Sequence, residues 1–317
     1  MKKKFLFGPV KSRRLGISLG VDCVPAKSCN LNCVYCECGA ADNFFLQAQM
    51  FFPVSDIEKE LADYLDQKPM LDYITFSGAG EPLLYAGLGE LAGLIKKKYP
   101  EYKIALLTNG VLFSCNYNFS SLSVFDLIIP SFDAASEDVF RIVNRPGPGI
   151  TAQALLDGLI ALRKNFTGKI WLEIFFIKGI NDSNDEVKKL AAAAEKINPE
   201  KVQINSLDRP GAEKWAVPPA LERLQEINHI IPRSEIITRQ AGAFLKNPEI
   251  KKNIADFLSR RPVTAADLSV LSGQEKHTVQ KQLDELQAQG RIKSSKTTAG
   301  IFYISINNKN KQQSWNS

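Results

Sequence analysis

Three cysteines set the chemistry this chain can do. They lie in the run Cys29-Asn-Leu-Asn-Cys33-Val-Tyr-Cys36. A Cys-x3-Cys-x2-Cys spacing brings three thiolates into one loop, one short of the four that normally hold an iron–sulfur cube. One iron is then left open to a ligand that is not protein. A zinc knot is the competing reading, because Cys38 supplies a fourth sulfur and zinc accepts four thiolates. Structural zinc sites usually draw on two separated cysteine pairs, and no second pair is present. A disulfide scaffold fits less well, since four of the six cysteines fall within ten positions. Cys23, Cys38 and Cys115, outside the three-cysteine run, leave open a second cluster or a hydrogen-atom donor, with one or two of them expected to be inert small side chains.

Further polar groups follow short apolar runs. Tyr73-Ile-Thr-Phe-Ser77 leads into Gly78-Ala-Gly80-Glu81-Pro82, where glycines permit close approach of a ligand and Glu81 offers a carboxylate to an ammonium group. Thr108-Asn109-Gly110 and Ser131-Phe132-Asp133 repeat the pattern. Arg13-Arg14, Asn144-Arg145-Pro146 and Asn205-Ser-Leu-Asp-Arg209-Pro210 present planar guanidinium forks, two of them fixed by a following proline, as suits phosphate or carboxylate. An anionic substrate is expected from Arg14, Arg145, Lys178, Asn205 and Arg209. Lys178 would form an imine if it were desolvated.

The elements that must position these residues alternate. Strands are expected at Ile17 to Val24, Tyr73 to Ser77, Lys103 to Thr108, Leu127 to Ser131, Ile170 to Ile177 and Val202 to Ser206. Helices with apolar residues at three- and four-residue steps are expected at Asp56 to Gln67, Gly87 to Lys98, Thr151 to Phe166, Asn184 to Ile197 and Pro219 to Ile230. The α/β alternation predicts a partial (β/α)6 TIM-like barrel over 1–231, with chemistry at the C-terminal strand ends. An open doubly wound sheet would alternate in the same way.

Residues 232–246 read as a linker. A second unit is expected over 247–306, beginning with Asn247 as cap and Pro248 as first helical residue, followed by Ile250, Ile254, Phe257 and Leu258. A helix capped by Thr264, a third from Lys276 to Gln289, and a hairpin from Ile292 to Lys296 and Gly300 to Ile306 complete a small winged helix-turn-helix domain. Residues 307–317 read as a flexible tail. Residues 246–317 hold 12 Lys and Arg against 6 Asp and Glu, while the rest balances at 28 against 28. The net charge of +6 therefore belongs to the C-terminal segment, where nucleic acid or protein is the expected partner. No apolar run approaches the ~20 residues of a membrane span, and the apolar stretch at the N-terminus is shorter than a signal peptide needs, so none is expected. A cytoplasmic protein without a membrane partner is expected.

The cysteine loop closely resembles that of the radical S-adenosylmethionine (SAM) superfamily. Phe7-Gly-Pro-Val10, Ser12-Arg-Arg-Leu-Gly16, Gly80-Glu81-Pro82, Asn144-Arg145-Pro146 and Val202-Gln203-x-Asn205 narrow the likeness over about residues 5–215. They resemble the Fe–S oxidoreductase branch related to wyosine-tRNA (4-demethylwyosine) synthases. The resemblance implies a [4Fe-4S] cluster on Cys29, Cys33 and Cys36, with SAM on its open iron. It implies reductive cleavage to a 5′-deoxyadenosyl radical that takes hydrogen from an anionic, RNA-borne or other substrate, and an electron donor of flavodoxin or ferredoxin type. It places Gly78, Gly80 and Glu81 against the methionine amino group, Asn109, Ser131 and Asp133 near the ribose hydroxyls and carboxylate, and Tyr35 near the adenine. The wyosine enzymes carry a further cysteine set and basic surfaces for tRNA, and the charge-neutral barrel and appended winged helix expected here depart from that pattern. A redox-sensing DNA-binding regulator without turnover and a peptide-modifying maturase are the alternatives.

Overall fold

The computed structural model describes residues 5–41, 43–115, 117–237, 250, 254–258, 262–297 and 300–306. The chain divides into two compact units, Met1–Ala243 and Phe244–Ser317. In the first, β1 (Leu6–Ser12), β2 (Gly16–Val21), β3 (Ser28–Cys29) and β4 (Asn43–Phe44) precede α1 (Val54–Leu65). Then come β5 (Tyr73–Phe76), α2 (Leu88–Lys98), β6 (Lys103–Thr108), β7 (Leu127–Pro130), α3 (Glu137–Val143) and α4 (Ala152–Asn165). β8 (Lys169–Phe176), α5 (Asn184–Ile197), β9 (Lys201–Ser206), α6 (Leu221–Ile230) and β10 (Ser234–Ile236) close the unit.

The eight-stranded sheet runs β1-β2-β5-β6-β7-β8-β9-β10. β1 is antiparallel to β2, and every other neighbour pair is parallel. From β2 onward the strand order follows the chain without reversal. A doubly wound sheet reverses at a switch point, so the order decides for the partial barrel. All six expected strands form.

Alternation along each strand sorts the side chains. Ile74, Phe76, Ile104, Leu106, Ile128, Ile170, Leu172, Ile174, Val202 and Ile204 pack in the large core shared with the helices, each at most 0% exposed. The opposite face carries Ala105, Leu127 and Ile129, which pack against Leu15 with Tyr73, Leu107 and Trp171 at the margin. Farther along that face Glu173 on β8, Gln203 on β9 and Glu235 on β10 align in register. On that face the charged and amide groups thus gather on β8 to β10.

Several elements differ from expectation, the short strands β3 and β4 among them. β1 was not foreseen because it contains Gly8-Pro9. Proline cannot donate to a ladder and is tolerated at a sheet edge, which is where β1 sits, with a register shift between Phe7 and Val10. Residues 234–236, expected in a linker, form β10 and extend the sheet beside β9. α3, seven residues long, is too short to show a helical period.

In the second unit α7 (Ile254–Leu258), β11 (Val263–Thr264), α8 (Ala265–Ser272), α9 (Lys276–Ala288), β12 (Ile292–Thr297) and β13 (Gly300–Ser305) follow in order. The strands form an antiparallel sheet ordered β11-β13-β12. Thr264 caps α8 in a reciprocal box: its hydroxyl accepts from Asp267 N (3.1 Å), and Asp267 accepts from Thr264 N (3.3 Å). Ile250, Ile254, Leu258, Leu268, Leu271, Val279, Leu283, Ile292 and Tyr303 form its own core. Asn247, Pro248 and the tail lie outside the described residues, as does 238–246 of the expected linker.

Candidate cluster site at the strand ends

The cysteine loop spans the C-terminal ends of the parallel strands. Its base is closed by β3 pairing with β4, and Glu81 N donates to Ser28 O (2.9 Å). Its far side is clamped by the end of α3. Asn32 N donates to Asn144 O (2.9 Å), Val34 N to Val143 O (2.9 Å), and Leu31 bridges Pro146. To offer these carbonyls Arg145 turns to φ +43°, although a residue before proline is biased toward extended backbone. The chain leaving β9 adds a third hold, with Glu213 N donating to Val34 O (2.9 Å).

All six cysteines are free thiols, and Cys29, Cys33 and Cys36 are half-buried. Each sulfur has a hydrogen-bond partner. Asn109 Nδ2 and Leu31 N each donate to Cys29 Sγ at 3.4 Å. Asn144 Nδ2 donates to Cys33 Sγ at 3.4 Å, and Cys38 bonds Cys36. Burial, followed by the charge of Glu81, pushes the Cys29 thiol up to about 12. Burial, followed by Asp133, holds Cys33 well above its ordinary value. The bond from Cys38 lowers Cys36.

This donor set fits an iron–sulfur cube. A bound cation reverses local pKa logic and deprotonates a coordinating thiol, supplying the positive charge that the buried thiols lack. Among the described residues no three His, Cys, Asp or Glu converge as ligands of one metal ion. Two buried polar atoms beside the sulfurs, Asn30 Nδ2 and Asn144 Oδ1, have no partner among the described residues. A bound group would satisfy them.

The glycine loop meets the cysteine loop so closely that side chains are excluded. A Cβ on Gly80 would stand 2.5 Å from Ser28 O and 2.7 Å from Val24 Cγ2. On Gly78, at φ +149°, it would stand 2.5 Å from Asp22 Oδ1. Both glycines therefore serve the junction of the two loops.

Glu81 is buried and turned inward. Its Oε1 accepts from Leu83 N (2.9 Å) and Thr108 Oγ1 (2.5 Å), and its Oε2 from Asn109 N (2.7 Å). Burial outweighs these three bonds and pushes its carboxyl up to about 7. In this structure the carboxylate holds Asn109 in place, rather than facing outward as an ammonium acceptor. Asp133 plays the matching part on the other side. Its Oδ2 accepts from the Tyr35 hydroxyl (2.6 Å) and Asn144 Nδ2 (2.7 Å), its Oδ1 from Phe175 N (2.9 Å). Burial raises its carboxyl above the ordinary value against those bonds. The Tyr35 ring stacks on Phe175, centroids 4.0 Å apart. Ser131 sits at the mouth, bridging Glu173 of β8.

Of the expected substrate residues, the three arginines and Asn205 are already engaged. Arg14 bonds Glu173; burial, then Arg13, lowers it to about 10. Arg13 pairs with Asp208 (2.9 Å), Arg145 with Glu213 (2.5 Å) and Arg209 with Glu37 (2.8 Å). Asn205 is buried, its Oδ1 accepting from Ser206 N (2.9 Å). Lys178 is exposed, so the desolvation an imine-forming lysine requires is absent there. Sequence reasoning missed Asn30 and Asn144 as partners of the sulfurs. The one available signal was an amide residue beside the first cysteine and another in the Asn-Arg-Pro turn.

Comparison with known proteins agrees with this geometry. The radical SAM superfamily model matches residues 23–191. A Brachyspira hyodysenteriae protein named GTPase Obg is 31% identical over 97% of this chain, which spans only 46% of that protein. A UPF0026 protein of Methanocaldococcus jannaschii is 30% identical over 81% of this chain and 82% of its own length. Among solved structures, a radical SAM methyltransferase from Sphaerobacter thermophilus shares the fold at a TM-score of 0.50 and 18% identity, covering 69% of this chain and 65% of that one. The cysteine loop, the unreversed parallel sheet and these matches together show that the chain belongs to the radical SAM superfamily.

Proposed function

We propose that this chain is a radical SAM enzyme in which Cys29, Cys33 and Cys36 hold a [4Fe-4S] cluster and the strand-end loops orient SAM over a substrate bearing an anionic group. When bound, cluster and SAM supply a 5′-deoxyadenosyl radical that abstracts hydrogen. The observation that carries the reading is the clamping of the three-cysteine loop across the strand ends, through Asn109, Asn144 and the glycine loop. Such a scaffold would be superfluous in a sensor without turnover.

The anionic substrate is supported by the arginines at the mouth. A guanidinium has five N–H donors, and the ion pairs of Arg14 and Arg145 each involve a single NH1 contact. An incoming phosphate or carboxylate can engage the remaining edge in the bidentate manner that arginine favours. RNA is the first substrate class to test, because the second unit, read as a winged helix-turn-helix from its order of helices and β11-β13-β12 sheet, would serve as a basic docking arm.

Anaerobic protein reconstituted with iron and sulfide, given dithionite and SAM, is expected to yield 5′-deoxyadenosine. Product no greater than that of Cys33→Ala would overturn turnover and favour a redox-sensing regulator. Nucleoside masses of small RNAs from cells with and without the gene test the substrate class separately.

A further inference from the structure

Two amide side chains aim at the sulfurs from outside the cysteine loop, one from the end of β6 and one from the end of α3. Each amide nitrogen carries two hydrogens. Asn109 Nδ2 directs one to Asn30 Oδ1 (2.6 Å) and the other to Cys29 Sγ (3.4 Å). Asn144 Nδ2 directs one to Asp133 Oδ2 (2.7 Å) and the other to Cys33 Sγ (3.4 Å).

The orientation of neither amide is arbitrary. Asn109 Oδ1 accepts from Val111 N at 3.0 Å, so a flipped amide would set two nitrogens against each other. Flipping Asn144 would turn its oxygen toward the Asp133 carboxylate. The supports are anchored in turn. Glu81 Oε2 accepts from Asn109 N, and Asp133 is held by the Tyr35 hydroxyl and Phe175 N. Two chains of bonds therefore run from buried carboxylates through asparagines to separate cluster sulfurs.

Reduction of an iron–sulfur cluster adds one electron, and no bond is made or broken. The added charge is shared with the sulfurs, so an N–H dipole pointing at a ligand sulfur stabilises the reduced form more than the oxidised one. Hydrogen bonds to sulfur are among the groups that set cluster potential. We propose that Asn109 and Asn144 are positioning residues that raise the reduction potential of the cluster by N–H···S bonds to Cys29 and Cys33. The inference rests on the cluster assignment and is independent of substrate.

The test uses the full chain, reconstituted anaerobically, with iron counted per chain and the potential read by a redox titration followed by electron paramagnetic resonance without SAM. Asn109→Leu and Asn144→Leu remove the donors while keeping similar volume. Each is expected to keep its iron and to become about tenfold harder to reduce, a fall of about 59 mV for one electron. Asn165→Leu, which alters an exposed amide at the end of α4 that bonds Ala161 O, is expected to leave the potential unchanged. Should a leucine variant lose iron, the corresponding serine variant, one bond shorter than asparagine, is read by the same criterion. Full iron with an unshifted potential in both variants would overturn the inference and leave the cluster standing. Wild-type protein that takes up no iron would overturn both.

Discussion

At the scale of single residues, Glu81 shows how the site trades charge for position. Its carboxyl is raised to about 7 by burial, whereas in the unfolded chain it titrates like any glutamate. Between those two values only the folded protein holds the proton, so stability is fully present below the unfolded value and falls as pH rises through the folded one. Above about 7 both states are ionised and the loss is complete. Iron-free protein is therefore expected to lose up to ~3 kcal/mol more between pH 5 and pH 8 than Glu81→Gln, measured by denaturant unfolding at both pH values. Parallel losses in the two proteins would show that Glu81 titrates normally. The cysteines, glycines and strand-end polar groups were legible as residue types because their spacing is local. Their partners were not. Arg13 and Asp208 lie 195 positions apart, Arg209 and Glu37 172. Only the folded sheet shows that each guanidinium has a carboxylate waiting for it.

At the scale of elements, the alternation of apolar runs and helical periods exposed six parallel strands, because each is buried on both faces or packed under a helix. β1 and α3 escaped for opposite reasons. The first carries turn-forming residues inside an edge strand, and the second is too short to repeat its pattern. Both matter to the site, since β1 leads into the Arg13-Arg14-Leu15 turn and α3 clamps the cysteine loop. The glycine loop is sensitive to substitution because one of its closest neighbours is backbone. Gly80→Ala places a methyl group against backbone at Ser28 O, which cannot yield without moving the base of the cysteine loop. Overpacking of this kind costs about 1–3 kcal/mol, so the variant is expected to unfold at lower denaturant and to retain less iron than wild type. A wild-type midpoint together with full iron would mean that the two loops slide past each other freely. Gly93, in α2, has nothing within 4 Å of its Cβ position, and Gly93→Ala provides the control for the helix-interior effect of the same change.

At the scale of the whole molecule, the two units have separate cores. Every residue of the large barrel core lies between Phe5 and Ile236, and every residue of the small one between Ile250 and Tyr303. The excess positive charge belongs to the segment containing the small unit, while the remainder of the chain is balanced. Chemistry and docking should therefore be separable by cutting the chain at the boundary after Ala243. A fragment of residues 1–243 is expected to keep its iron and its SAM cleavage, because the cysteine loop and each of its clamps come from that unit. Full-length protein is expected to bind a fluorescent RNA hairpin with an affinity that falls steeply as salt rises, since phosphate contacts release counterions. The fragment should lose most of that binding. Fluorescence anisotropy over a salt series reads both quantities. A flat salt response of the full chain would remove nucleic acid as the partner and turn attention to protein. Equal binding by fragment and full chain would instead move the docking surface onto the barrel, beside the arginines of the mouth.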